Sequence, residues 1–378
     1  MTKRWMKDET HEDGAIEHDE AAAVGSQAYA ERCRELVAQP MRWLVSGAAG
    51  FIGSHITQRL LVLGQHVTCL DDFSTGFRSN LDQVRESITA EARGRLRLIE
   101  GDLRDPDACR RACRQVDLVS HQAALGSVPR SFADPERTHA VNVEGTRTLL
   151  AEAGAAGVER FVYASSSSVY GDNPDLPKVE ERTGKPLSPY AESKRLVEEL
   201  AQEAQAATGL ETVGLRYFNV IGPRQRGDGA YAAVVPRWLR GMLRGERPHV
   251  HGDGSNSRDF TPVEDVVQAG ILAARCRAAC GVFNVASGRK TSLSELARML
   301  WDGVRVATGT TADLRPEFGP SRAGDVAHSL ADISRAVRVL GYQPSRTLER
   351  ALCDLIAAQG LSADASCELQ LPASDRLS

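Results

Sequence analysis

Tyr190 and Lys194 stand four residues apart in the stretch Ser188-Pro-Tyr-Ala-Glu-Ser-Lys194. Ser188 can cap a helix, because its hydroxyl can accept a free backbone N–H of the first turn. Pro189 suits the first helical position, where its missing N–H costs nothing. On such a helix Tyr190 and Lys194 share one face. An ammonium beside a phenol favours the charged form and lowers its pKa. The pair can therefore supply a general base near neutral pH, which an isolated tyrosine, titrating at about 10, cannot.

A second constellation lies nearer the start. Gly47, Gly50 and Gly53 separate the apolar run Trp43-Leu-Val from a stretch that reads as a helix through Leu63 and stops at Gly64. Glycines so placed let the backbone turn tightly and bring a helix N-terminus against a pyrophosphate. The run His66 to Leu70 ends in Asp71-Asp72, 18 residues beyond Gly53. An acidic residue there accepts hydrogen bonds from the adenosine ribose and repels a 2′-phosphate, which selects NAD over NADP.

The elements that must position these groups alternate. Strands are expected at Trp43–Val45, His66–Leu70, Leu96–Ile99, Asp117–Ser120, Phe161–Ala164 and Thr212–Arg216. Between them, helices are expected after Gly53, around Pro106–Cys113, as one long helix over Pro135–Ala155, and over Pro189–Ala207. Such alternation predicts an α/β fold, a Rossmann doubly wound parallel sheet with helices on both faces. After about residue 222 helices are expected near Ala232–Arg244, Val263–Arg275, Leu293–Trp301, Ile333–Leu340 and Leu348–Ala358, with short strands near His249, Val282–Val285 and Ala312–Arg315. This reads as a smaller mixed α/β lobe over the open end of the sheet. The expected domains are an acidic N-terminal extension and lead-in helix (1–40), a dinucleotide-binding domain (41–222, its sheet completed from later in the chain), a substrate lobe (223–360) and a tail (361–378).

Composition removes other classes. The chain has 378 residues, 42% of them hydrophobic, and a net charge of −4, which argues against a nucleic-acid binder. No apolar run is long enough to span a membrane, and no basic-then-apolar leader opens the chain, so a cytoplasmic location is expected. Cys109/Cys113 and Cys276/Cys280 lack the histidine partners of a zinc site. They read as reduced filler, and no metal is expected.

The glycine spacing, Gly101-Asp102-Leu103, Gln122-Ala123-Ala124 and Tyr190-x-x-x-Lys194 together resemble the extended short-chain dehydrogenase/reductase family over about residues 41–355. The resemblance implies that Phe51, Ile52, Asp72, Asp102, Leu103, Gln122, Ala123, Ala124 and Tyr217 line the NAD site with the three glycines, Asp71, Tyr190 and Lys194. It also implies a catalytic serine four residues before the Tyr of Val169-Tyr170-Gly171. That is Ser166, within the run Ser165–Ser168, with its neighbours as alternatives. Dehydratases of the family carry an Asp-Glu pair at the positions of Ser167 and Ser168. Without it, dehydration lacks its acid and base, and epimerisation needs neither.

Further segments are similar to UDP-hexose 4-epimerases, and those of bacterial UDP-N-acetylglucosamine 4-epimerases are closest. They include Arg216-Tyr-Phe-Asn219-Val-Ile-Gly-Pro-Arg224, Tyr231 to Trp238, His251-Gly-Asp-Gly254, Ser257-Arg-Asp-Phe260, Arg322-Ala-Gly-Asp325 and Ala123 to Ser131. The similarity implies substrate contacts from Gly126, Ser127, Ser166, Ser167, Tyr190, Asn219, Ala233, Val234, Trp238, His251, Arg258, Arg322, Asp325 and Ser329. Among them Asn219, Arg258 and Arg322 would serve the diphosphate and Asp325 the ribose. Ser329 replaces a wall-forming tyrosine and leaves room for an N-acetyl group. The expected partners are a UDP-sugar and a second copy of the chain, packed through the helices near 135–155 and 189–207.

Overall fold

The computed structural model describes residues 26–227, 233–320 and 327–361. Seven strands form one sheet: β1 (Arg42–Ser46), β2 (His66–Asp71), β3 (Leu96–Glu100), β4 (Leu118–His121), β5 (Arg160–Ser166), β6 (Glu211–Tyr217) and β7 (Gly281–Val285). Their order is β3-β2-β1-β4-β5-β6-β7, with every neighbouring pair parallel. The chain winds outward from β1 to β3, then returns to lay β4 on the other side of β1. A crevice opens where the winding reverses, beyond the carboxyl ends of the strands.

The helices are α1 (Gln27–Ala38), α2 (Phe51–Val62), α3 (Arg78–Glu86), α4 (Ala90–Gly94), α5 (Pro106–Cys113), α6 (Val128–Ala133), α7 (Pro135–His139), α8 (Gly145–Ala155), α9 (Pro189–Thr208), α10 (Val234–Leu243), α11 (Val263–Arg275), α12 (Leu293–Thr308), α13 (Ser334–Leu340) and α14 (Leu348–Ala357). Strand side chains alternate between two cores, as the two-residue period requires. Trp43, Val45, Val162 and Val213 meet α1, α2 and α11 on one face. Leu44, Phe161 and Tyr163 meet α5, α8 and α9 on the other. A third core, around Trp238, Leu239, Leu300 and Leu352, holds the C-terminal lobe. Cys109 and Cys113 are buried in the second core, where burial pushes both thiols up to about 12.

Three expectations are corrected. The single helix over 135–155 is interrupted by a π-helical turn at Ala140–Glu144, which separates α7 from α8. The strand expected at Ala312–Arg315 lies instead at Glu317–Gly319, paired with His249–His251, because Leu314 is drawn into the lobe core. Helices α3, α4 and α6 were not anticipated. Residues 1–25 and 362–378, which include most of the N-terminal extension and the tail, lie outside the described residues, as do Tyr231, Arg322 and Asp325.

Candidate active site

Ser188 caps α9 by accepting from the Ala191 N–H at 3.1 Å, and Pro189 fills the first turn. The helix start is thereby fixed against the ends of β5 and β6. Lys194 is buried, and its Nζ donates to the Ala164 carbonyl of β5 at 2.8 Å. Nζ stands 6.0 Å from the centre of the Tyr190 ring. Burial pulls the ammonium down to about 8, opposed by the Glu198 carboxylate.

The expectation that Lys194 lowers the Tyr190 pKa is not met in this arrangement. Burial raises the phenol, and the opposing influence is a hydrogen bond from Ser166. The strand period explains why Ser166 and not Ser165 takes this place. Ser165 points to the α9 side and donates to Glu198. Ser166 points into the cleft, and its Oγ also accepts from the Ser168 N–H at 3.1 Å. Ser167 is half-buried in the following 3₁₀ turn and does not line the cleft.

Every residue expected at the cofactor lines one of two joined depressions. The larger, about 960 Å³, runs from the glycine turn past Tyr190, Lys194 and Tyr217. The smaller is walled by Asp71, Asp72, Asp102 and Leu103, and both share Gly47, Gly50, Gln122 and Ala124. The glycines are required here. A Cβ on Gly47, whose φ is +69°, would sit 2.6 Å from the Ala123 nitrogen, and one on Gly53 would sit 2.1 Å from the Gly47 carbonyl oxygen. The α2 N-terminus is capped by Gly50 with no side-chain bond, so its first-turn N–H groups are left for an anion.

Asp71 is committed partly to this turn: it accepts from the Ala49 and Phe73 N–H groups, each at 2.8 Å, while burial raises its carboxyl. Asp102 is held in a fork by Arg104, which keeps its carboxyl below the usual range. Tyr217 Oη donates to Gln122 Oε1 at 3.2 Å. The cradle therefore fits a dinucleotide, with backbone donors at the pyrophosphate position and an acidic wall at the ribose end.

The substrate residues divide. Gly126, Ser127, Ser166, Tyr190, Ala233 and His251 line the larger cleft. Ser127 holds a φ of +97°, a strained value for a non-glycine residue at a cleft wall. Trp238 and Val234 do not line it. The stripe Val235, Trp238, Leu239 and Met242 faces the lobe core, and Trp238 Nε1 donates to the His249 carbonyl at 3.2 Å. Asn219, Arg258 and Ser329 are also absent from the described lining: Asn219 is exposed, Arg258 donates to the carbonyls of Ser257 and Ala327, and the Ser329 N–H donates to the Ser257 carbonyl. Arg216 is buried with Glu198, and so is not a nucleotide contact.

Several residues were missed. Asn142, on the π-helical turn, accepts from the Leu125 N–H at 2.7 Å and donates to Ser193 Oγ at 3.0 Å. It ties the cleft wall to the catalytic helix. His121, at the end of β4, lies between Ser46 Oγ and Thr146 Oγ1, and burial pulls it down to about 3, so it is neutral. Arg130, Arg224, Arg226 and Arg237 line the larger cleft, and no carboxylate does so among the described residues. Arg224 has a φ of +64° and donates to His55 Nδ1 and Gln58 Oε1 of α2, which joins the C-terminal lobe to the glycine-capped helix. An asparagine inside a helical pattern was the only available signal for Asn142.

Comparison with known proteins agrees with this geometry. Residues 43–286 match the model of the NAD dependent epimerase/dehydratase family. A UDP-glucose 4-epimerase of Mycolicibacterium smegmatis is 37% identical over 84% of this chain and 97% of its own. The structure of a UDP-N-acetylglucosamine 4-epimerase from Methanobrevibacter ruminantium, in complex with UDP-N-acetylmuramic acid, superposes with a TM-score of 0.78 at 34% identity, covering 85% of this chain and 98% of that one. A Thermus thermophilus UDP-glucose 4-epimerase in complex with NAD gives a TM-score of 0.72 at 33% identity, covering 84% and 98%. No described helix is long and apolar enough to cross a membrane. With a glycine cradle, an acidic ribose wall and a Tyr–Lys–Ser set in the cleft of a seven-stranded parallel sheet, this chain belongs to the NAD-dependent epimerase/dehydratase family, and NAD is its cofactor.

Proposed function

We propose that the protein is a UDP-sugar 4-epimerase whose substrate is UDP-N-acetylglucosamine, converted to UDP-N-acetylgalactosamine. One observation carries the reading. A phenol, a serine hydroxyl and an ammonium converge in a cleft whose described lining includes four arginines and no carboxylate. The serines at 167 and 168 offer no acid–base pair for dehydration, whereas the arginines suit a diphosphate.

Bound NAD supplies a hydride acceptor that returns the same hydride, and its cationic ring favours a nearby anion. Tyr190 takes the proton from the sugar 4-hydroxyl and gives it back, so one residue serves both directions. Ser166, whose hydroxyl donates to Tyr190 and holds it in place, lies beside the position of the sugar 4-oxygen. Lys194 supplies positive charge behind the phenol from a fixed seat on the Ala164 carbonyl. Asn219, Arg258, Arg322 and Asp325 are proposed to hold the nucleotide, with residues 41–222 and β7 as the cofactor unit and 223–360 as the sugar lobe. A homodimer through α8 and α9 belongs to the same reading, and light scattering tests it.

The N-acetylated sugar is favoured by small residues. A Cβ on Gly126, at the cleft wall, would meet open space, and Ser329, outside the described lining, is proposed to leave the same room from the lobe side. The M. ruminantium relative is described as acting on that sugar. The M. smegmatis relative, described as a UDP-glucose 4-epimerase, favours a second reading in which the sugar is unsubstituted. Incubating purified protein with UDP-N-acetylglucosamine or UDP-glucose, without added NAD, decides between them. A kcat/KM higher for UDP-glucose would reverse the assignment, and no turnover of either would end it.

A further inference from the structure

Beneath the catalytic pair lies a buried charge that the mechanism above does not use. Glu198 sits one turn beyond Lys194 on the same face of α9, and both residues are buried. Arg216 of β6 grips its carboxylate in a fork, Nε to Oε1 at 2.9 Å and Nη2 to Oε2 at 2.8 Å. Ser165 donates to the same Oε1. The network continues: Arg216 Nη1 donates to Tyr170 Oη at 3.1 Å, and Tyr170 Oη donates to Asn284 Oδ1 of β7 at 2.6 Å.

A buried ion pair is a poor source of stability, because desolvation of both charges offsets their attraction. An apolar pair of similar volume would hold α9 to β6 as well. It could not do two things that Glu198 does. It could not accept from Ser165, whose orientation sets the strand end that presents Ser166. Nor could it place a negative charge one turn from Lys194. The groups facing Lys194 from neighbouring elements do not substitute for that charge. His121 of β4 is neutral, β5 offers the Ala164 carbonyl, Tyr163 and Tyr217 are raised by burial, and Arg216 of β6 is positive.

We propose that Glu198 is a positioning residue for the Tyr190–Lys194 pair, its carboxylate keeping the buried Lys194 charged and, through Ser165, aiming Ser166 at Tyr190. The proposal rests on the Tyr190–Lys194 mechanism given above.

The test uses the NAD-containing full chain as wild type, E198Q, E198D and E198Q/R216M. E198Q alone strands Arg216, so the double variant is the one in which folding is retained. The first readout is the alkaline limb of the turnover profile. If Lys194 falls by about one unit, its charged fraction at pH 8 drops from about half to about a tenth, so turnover falls about fivefold there and stays near wild type at pH 6. E198D, which keeps the charge, restores the limb. The second readout needs no substrate: unfolding stability between pH 6 and 8, with and without K194M. A lysine depressed in the folded state costs stability as pH falls to its folded pKa and no further, so a lower folded pKa extends the loss to lower pH. The double variant is expected to lose stability below pH 8 more steeply than wild type, and K194M is expected to remove the difference. A folded, NAD-loaded double variant with the wild-type limb and no added slope overturns the proposal. If the wild type turns over no UDP-hexose, the functional reading fails, and the second readout still decides on Glu198.

Discussion

Replacing Ser166 by alanine tests the site at its most specific contact. The Ser166 hydroxyl supplies the hydrogen bond that opposes the burial-driven rise of the Tyr190 phenol. A hydrogen bond to a charged group is worth about 1.5–3 kcal/mol. At about 1.4 kcal/mol per pKa unit, its loss raises the phenol by roughly one to two units. The phenolate fraction at a given neutral pH then falls about 10- to 100-fold, and kcat with it. The Ser168 N–H also loses its acceptor, which costs about 1 kcal/mol of stability. Because both phenols titrate above this range, each phenolate fraction rises about tenfold per pH unit and the deficit is expected to stay constant, up to the range where Lys194, at about 8, begins to lose its charge. The assay is kcat and KM for Ser166→Ala between pH 6 and 9, with bound NAD quantified by absorbance. A kcat deficit of less than about threefold, or one that lies wholly in KM, refutes the assignment of Ser166 to Tyr190.

Three further outcomes are expected. Tyr190→Phe loses turnover by orders of magnitude while the fold and bound NAD are retained, as read by circular dichroism and absorbance; substantial residual activity would remove the base from the mechanism. Ser329→Tyr lowers kcat/KM for UDP-N-acetylglucosamine far more than for UDP-glucose, and equal losses would show that position 329 does not meet the 2-substituent. Acid lability should follow from His121, whose folded pKa of about 3 lies below its unfolded value. Its contribution is present above about pH 6.5 and is lost as pH falls toward 3, which is about 2 kcal/mol by pH 5. His121→Gln should flatten denaturant-measured stability between pH 7 and 5, and an unchanged slope would place the lability elsewhere.

The glycine turn and the capped Tyr–Lys helix were legible because local rules dictate both. A proline at the first turn, a serine cap and glycines where a Cβ would meet backbone are facts about one short segment. The serine run was half legible: its place before Val169-Tyr170 could be read, but the choice of Ser166 waits on which face of β5 meets the cleft. Trp238 and Arg216 were misplaced for a related reason. Each sits in a segment that borders the site, yet the amphipathic stripe of α10 turns Trp238 into the lobe core, and β6 turns Arg216 toward Glu198. The π-helical turn that brings Asn142 to Ser193 left no mark on the hydrophobic period. Polar groups paired across strands distant in sequence have no local signature, and most of the missed residues are of that kind.

The distribution of charge has a consequence for when the base exists. Among the described residues, the one carboxylate gripped near Lys194 lies beneath it in Glu198, while the described cleft lining above carries arginines and no acid. With burial raising the phenol and lowering the ammonium together, Tyr190 stays protonated until further positive charge arrives. The cationic ring of NAD, held by the glycine cradle, would supply such a charge and favour the phenolate. A residue that is a weak base without the cofactor and a stronger one with it acts only where the hydride acceptor is present. That economy follows from burial, which disfavours both ionised forms until a ligand compensates them.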